Sequence, residues 1–221
     1  MAFSKLSTER KWWQIMNLEK RDRREREILE QAEYLIKTYG YDCTSMQQIA
    51  FKCGLAVGTL YNYFPSKNDI LITIFENLIS DILNKSENIL LTPGSNLQDN
   101  FAVLFREYCK CFTYFSKDLW VKFLADTAVK IDLVNIDGSL WRSFERLRIQ
   151  IRTMIIILKE NKVIDQTINE DIISTLMFNL YYLHLREYIY SNYTVDQILE
   201  KMMDQIKIII SGIKFNKGEI V

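Results

Sequence analysis

The sequence predicts an all-α protein of about nine helices, and three observations carry that expectation. Seven glycines and two prolines in 221 residues leave long stretches without a helix breaker. Apolar residues recur every third or fourth position along most of the chain. A Ser, Thr, Asn or Asp stands ahead of most such stretches, often with an acid or amide three positions on, as at a capped helix start.

The first periodic stretch passes through Ile28, Leu29, Ala32, Leu35, Ile36 and Tyr39, and Gly40 supplies a left-handed stop. Residues 1–22 form an extension without Gly or Pro, carrying Trp12, Trp13, Ile15 and Met16, and are expected to lengthen this helix backwards. Thr44 or Ser45 caps the second helix, with Gln47 or Gln48 completing a capping box and Met46, Ile49 and Ala50 facing inward. Gly54 ends it. Leu55 to Phe64 holds the third helix, closed by Pro65, which has no N–H to donate. Ser66 with Asp69 opens a fourth over 67–91, striped by Ile70, Leu71, Ile74, Phe75, Leu78, Ile82 and Leu83. Thr92-Pro93-Gly94-Ser95 is the one clear break. Starts at Ser95 or Asn96, Ser116, Asp137, Thr167 (with Glu170) and Thr194 (with Gln197) predict helices over 97–115, 117–130, 138–160, 168–191 and 195–213.

Lys plus Arg balance Asp plus Glu at 28 each, but unevenly along the chain. Residues 1–26 hold eight basic against four acidic residues, and 71–221 hold 17 against 19, which suits phosphate contact at one end only. Cys43, Cys53, Cys109 and Cys111 contain no C-x-x-C pair and His184 is the only histidine, so neither a metal site nor a disulfide framework is expected. No cofactor is expected either. Apolar runs such as Met154–Leu158 are far too short to span a bilayer, and no signal-peptide pattern opens the chain. The expectation is a cytoplasmic protein with no membrane partner.

Thr44 to Lys67 reads TSMQQIAFKCGLAVGTLYNYFPSK: a short helix, a glycine turn, an aromatic-tipped helix and the capped start of another. A helix that enters the DNA major groove needs a partner helix to hold it, small residues where backbones approach, and polar groups round its rim. Leu60 and Phe64 are expected to face inward, and Gly58 leaves backbone open. Thr59, Tyr61, Asn62 and Tyr63 offer hydroxyls and an amide outward. In the Lys20–Glu27 run, KRDRRERE, interleaved acids mark a solvated helix face on which only Arg21, Arg23 or Arg24 reach toward phosphate.

These residues resemble the tetracycline-repressor (TetR) family of bacterial regulators. The resemblance rests on Gly40-Tyr41, Thr44-Ser45, Ile49-Ala50, Gly54-Leu55, Gly58-Thr59-Leu60-Tyr61, Tyr63-Phe64 and Ser66-Lys67, and covers about residues 24–75. It implies a ligand-responsive, sequence-specific transcriptional regulator, a repressor that reads a palindromic operator in double-stranded DNA. The implied DNA contacts are Thr44, Thr59, Tyr61, Tyr63 and Lys67 toward phosphate or base edges, with Gly58 and Asn62 as base readers. Ala56 departs from the family's usual serine, which removes an N-cap side chain worth about 1 kcal/mol.

The implied organisation is an extension over 1–22, a helix-turn-helix domain over 23–68, and a ligand-binding and dimerisation domain over 69–221. The resemblance also implies a helical cavity for a small, largely apolar or aromatic inducer. Candidate lining aromatics are Phe105, Tyr108, Phe112, Trp120 and Phe123 on the earlier helices, and Trp141, Phe144 and Tyr181 later. Arg148 and His184 join them as polar points. Most of these rings also read as ordinary core. Leu176, Leu180 and Leu183 on one helix, with Ile198, Met202, Ile206 and Ile209 on the next, are the candidate homodimer faces. An enzyme is not expected, because His184 lacks a nucleophile partner and no phosphate-cradling glycine loop exists. The alternative reading is a helical protein-interaction or membrane-surface module using the Trp12-Trp13 segment.

Overall fold

Glutamate-, arginine-, lysine- and leucine-rich sequence without a breaker lets the first helix run on far beyond its core-facing part. Ala2–Tyr39 forms one helix, α1, so the extension and the periodic stretch are a single rod. This is seen in a computed structural model that describes residues 2–87, 97–130 and 139–212. The 92–95 break, the starts at Ser95 or Asn96 and Asp137, and the side chains of Trp12, Trp13, Phe123 and Trp141 lie outside the described residues. Nine helices occupy the described residues: α1, α2 (Met46–Lys52), α3 (Val57–Tyr61), α4 (Lys67–Glu87), α5 (Leu97–Cys109), α6 (Lys117–Lys130), α7 (Ser139–Glu160), α8 (Glu170–Tyr190) and α9 (Val195–Gly212).

The chain parts into two compact units, Met1–Phe75 and Glu76–Val221, so α4 contributes residues to both. In the first unit, Ile28, Ala32 and Ile36 of α1 are buried with Met46, Ile49 and Ala50 of α2 and Leu60 of α3. The Ser45–Gln48 capping box forms as expected: Gln48 N–H donates to Ser45 Oγ (3.2 Å) and Ser45 N–H to Gln48 Oε1 (2.7 Å). Gly54 closes α2 at φ +64°, and Leu55 N–H reaches back to the Ala50 carbonyl at 2.8 Å.

In the second unit α7 pairs extensively with α8, and α9 lies against both α5 and α8. Two helix limits differ from the sequence reading. Thr167 does not cap α8: its N–H and hydroxyl both go to Asp165 Oδ1 (2.8 and 2.7 Å), and Asn169 Oδ1 instead accepts from the N–H groups of Asp171 and Ile172. α5 stops at Cys109, and turns bonded to the third residue back, such as Cys111 N–H to the Tyr108 carbonyl, carry Phe112 into the core.

Candidate nucleic-acid interface

α3 has five residues and little local support. Ala56 occupies its N-cap without a side-chain hydrogen bond, and Leu60 is its one buried residue. The backbone continues to turn past its end, with Tyr63 and Phe64 N–H groups both on the Leu60 carbonyl at 3.0 Å. Phe64 is buried and Leu60 fully so, as expected. The opposite face is open: Gly58, Tyr61 and Asn62 are exposed and Thr59 and Tyr63 half-buried. Gly58 has no atom within 4 Å of where a Cβ would stand, so its value here is an unobstructed backbone. Restoring a cap by Ala56→Ser is expected to raise the stability of this unit by about 1 kcal/mol, read as a shift in its thermal midpoint.

Two candidate phosphate contacts have other employment. Thr44 is buried, its hydroxyl donates to the Gly40 carbonyl (2.9 Å) and its N–H to the Tyr41 carbonyl (3.2 Å). Neither donor is left for a phosphate, which corrects the expectation for this residue. Lys67 donates to the carbonyls of Tyr41 and Thr44 (2.7 Å for the latter) and lies 4.0 Å over the Tyr41 ring. Burial lowers its ammonium pKa. Lys67 is therefore first a clamp holding the 41–44 loop to the start of α4, with one of its three N–H groups remaining.

Of the α1 residues beside α3, the sequence pointed to Arg21 but not to Asn17 or Lys20. A cleft of about 380 Å³ opens between α1 and the end of α3, lined by Asn17, Lys20 and Arg21 together with Thr59, Asn62 and Tyr63. Arg21 lies 5.8 Å from the Tyr63 ring centre and pairs with Glu25 at 2.9 Å. Arg24, one turn on, bonds Glu27 (2.6 Å) and the Cys53 carbonyl at the end of α2 (3.1 Å).

In the second unit the candidate ligand aromatics form a packed core. Phe105, Tyr108 and Phe112 surround Tyr181 with ring centres at 6.4, 5.8 and 5.4 Å. The Tyr181 hydroxyl donates to the Tyr108 carbonyl (3.2 Å), leaving the Cys111 thiol, 2.9 Å away, to donate to it. Trp120 is buried with its indole N–H on the Phe112 carbonyl, and Phe144 packs apart from this group, against Phe178 and Tyr182. His184 is buried with both ring nitrogens engaged, by Glu187 (2.9 Å) and Gln205 (3.1 Å). Arg148 is held by Glu145. No polar point in this set stands idle.

The candidate dimer rows separate. Ile198, Met202 and Ile206 are buried within one chain, so they serve its own core and cannot cover a second copy. Leu176 and Leu183 are 48% and 58% exposed, Leu180 and Ile209 half-buried, and Ile208, which the sequence reading overlooked, is 71% exposed. An apolar cleft of about 360 Å³ joins Ile172, Leu176, Ile208 and Ile209. Among the described residues no helix is long and apolar enough to cross a membrane, and no cluster of His, Cys, Asp or Glu could hold a metal ion.

Residues 28–74 match the family model for bacterial regulatory proteins of the tetR family. Over 84 residues the chain is 36% identical to the HTH-type transcriptional repressor KstR of Mycolicibacterium smegmatis, spanning 38% of this chain and 41% of that protein. It is 34% identical to the fatty acid metabolism regulator protein of Bacillus subtilis over 28% of this chain and 31% of that one. The chain thus covers less than half the length of these relatives. Whole-chain folds agree more widely. A TetR-family structure from Mesorhizobium loti has a TM-score of 0.69 at 17% identity, with 88% of this chain and 98% of that chain covered. Thermus thermophilus FadR, solved with lauroyl-CoA, has 0.63 at 21%, with 89% and 98% covered. A capped α2, a left-handed Gly54 and an outward α3 are thus found in the segment, residues 28–74, that is similar to the tetR family model.

Proposed function

We propose that the chain is a homodimeric, sequence-specific DNA-binding regulator of transcription, acting as a cytoplasmic repressor released by a small apolar ligand. The observation that carries this is the face of α3 and its end: Gly58, Tyr61 and Asn62 exposed and Thr59 and Tyr63 half-buried, while Leu60 anchors the helix from behind. That arrangement suits a helix laid in the major groove, where Asn62 and the open backbone at Gly58 meet base edges and the hydroxyls meet phosphates. Thr44 is left out of the contact set, and Lys67 contributes at most its remaining N–H.

One such helix reads too few bases for useful discrimination, and a two-fold dimer reading a palindrome doubles the site. The exposed apolar stripe of Ile172, Leu176, Leu183 and Ile208 is the surface we assign to the partner copy. The ligand would enter the second unit's aromatic core by displacing its packing. Gln150 of α7 ties that core to α4: its Oε1 accepts from Tyr108 (2.7 Å) and Ser86 (2.9 Å), and its Nε2 donates to the Leu83 carbonyl (3.0 Å). A ligand that prefers one position of α4 shifts the dimer away from DNA only by that preference. Relatives described as repressors, and a similar fold carrying lauroyl-CoA, support this reading. Selection from a random duplex library, followed by gel shift at several salt concentrations, tests it. A palindrome should emerge, with Asn62→Ala relaxing the preference at one base by about 1–3 kcal/mol. Recovery of no enriched sequence overturns the proposal.

A further inference from the structure

α1 repeats its inward face every third or fourth residue, and that periodicity continues past the domain core. Leu35, Ala32 and Ile28 are buried, and the same stripe runs on through Arg24, Arg21, Lys20 and Asn17. At Ile28 the stripe changes from apolar to cationic without changing direction. The face that packs on the partner helices in one half therefore looks toward α3 in the other, where it forms the cleft with Thr59, Asn62 and Tyr63.

A helix in the major groove is flanked on either side by sugar–phosphate backbone, so groups rimming it meet phosphates rather than bases. The rim on this side of α3 is Lys20 and Arg21. Among the described residues Lys20 has no ion-pair partner, and Arg21 has Glu25, an exposed pair that an incoming phosphate can displace at little cost. Arg23 and Arg26 lie round the helix from this stripe, and Arg23 pairs with Glu27 at 3.4 Å. Arg24 is fixed on the Cys53 carbonyl and serves as the strut that holds α1 at this angle.

We propose that the Asn17–Lys20–Arg21 face of α1 is a DNA-backbone site, gripping the phosphates beside the recognition helix and adding affinity without sequence preference. The inference rests on the DNA-binding reading above. It narrows the sequence reading of the KRDRRERE run, a solvated face with Arg21, Arg23 or Arg24 toward phosphate, to a division of labour. One face carries Arg26 and the Arg23–Glu27 pair in water, and the other, with Asn17, Lys20 and Arg21, is presented to the duplex.

The full-length protein is titrated by fluorescence anisotropy against a selected duplex and a scrambled duplex across a salt series. Lys20→Ala with Arg21→Ala should weaken both by a similar factor, about ten- to a hundredfold at moderate salt, and lower the log–log salt slope by about 1.8, or 0.9 per phosphate. The ratio between the two duplexes should hold. Arg23→Ala with Arg26→Ala removes the same charge from the other face and should leave the slope nearly unchanged. Circular dichroism checks that both variants keep the wild-type helix content. Wild-type binding with an unchanged slope in the Lys20/Arg21 variant overturns this inference alone, as does an equal loss in the two double variants. Absence of wild-type binding to any duplex removes the DNA-binding reading and this inference with it.

Discussion

Truncating Leu60 to alanine is expected to destabilise the N-terminal unit by about 2–5 kcal/mol and to abolish duplex binding. Leu60 is fully buried and is the only buried residue of α3. A helix of five residues with no capping side chain at Ala56 has almost no stability of its own. Within the helix its orientation therefore depends on that contact, with Phe64 buried just beyond its end, and a cavity at Leu60 loosens α3 from α2. Amide hydrogen exchange over residues 46–64 should rise in Leu60→Ala, and anisotropy should show no binding. Leu60→Met, which nearly conserves volume, should retain both. Unchanged exchange in the alanine variant would show that something other than Leu60 holds the helix.

Alkaline pH is expected to unfold the second unit steeply, beginning near pH 9. Burial pushes the Cys111 thiol up to about 12 and Cys109 higher still, from an ordinary value of 9.0. The Tyr108 and Tyr181 phenols are raised well above 10.0 for the same reason. For acids whose folded pKa is raised, the stabilisation is complete below the unfolded pKa and falls as pH climbs toward the folded one, because only the unfolded chain releases the proton. Each such group costs about 1.4 kcal/mol per pH unit in that window. The two thiols give about 2 kcal/mol between pH 9 and 10, where the unfolded thiols go from half to almost fully ionised, and the phenols add a similar slope above 10. Lys67, whose pKa burial lowers, has the opposite sign but belongs to the first unit. Urea midpoints followed by near-ultraviolet dichroism from pH 7.5 to 10.5 under reducing conditions should fall along this curve. Replacing Cys109 and Cys111 by alanine should flatten the 9–10 limb, and a midpoint that stays level in wild type rejects the argument.

Helix starts were legible wherever their chemistry is local. Ser45 with Gln48 and Thr194 with Gln197 form reciprocal pairs, and Ser66 bonds Asp69, each within three residues. Thr167 failed as a cap because Asp165, two residues earlier, captures the same groups by an equally local turn, and only one arrangement can form. Periodicity in α9 correctly grouped Ile198, Met202 and Ile206 on one face. It could not say whether that face meets its own bundle or a second chain, since a stripe records burial without naming the partner.

The sequence by itself determined the helices, the glycine stop at Gly54 and the outward character of the residues around Leu60, all of which depend on neighbours a few positions apart. Only the tertiary structure decided which polar groups are left to meet DNA. Lys67 and Thr44 are occupied by the 40–44 loop, while Lys20 and Arg21, more than forty residues before Tyr63 in the sequence, stand beside it in space. Donors and cations are assigned by whichever partner folding brings within about 3 Å, and that distance is set by packing between helices rather than by order along the chain.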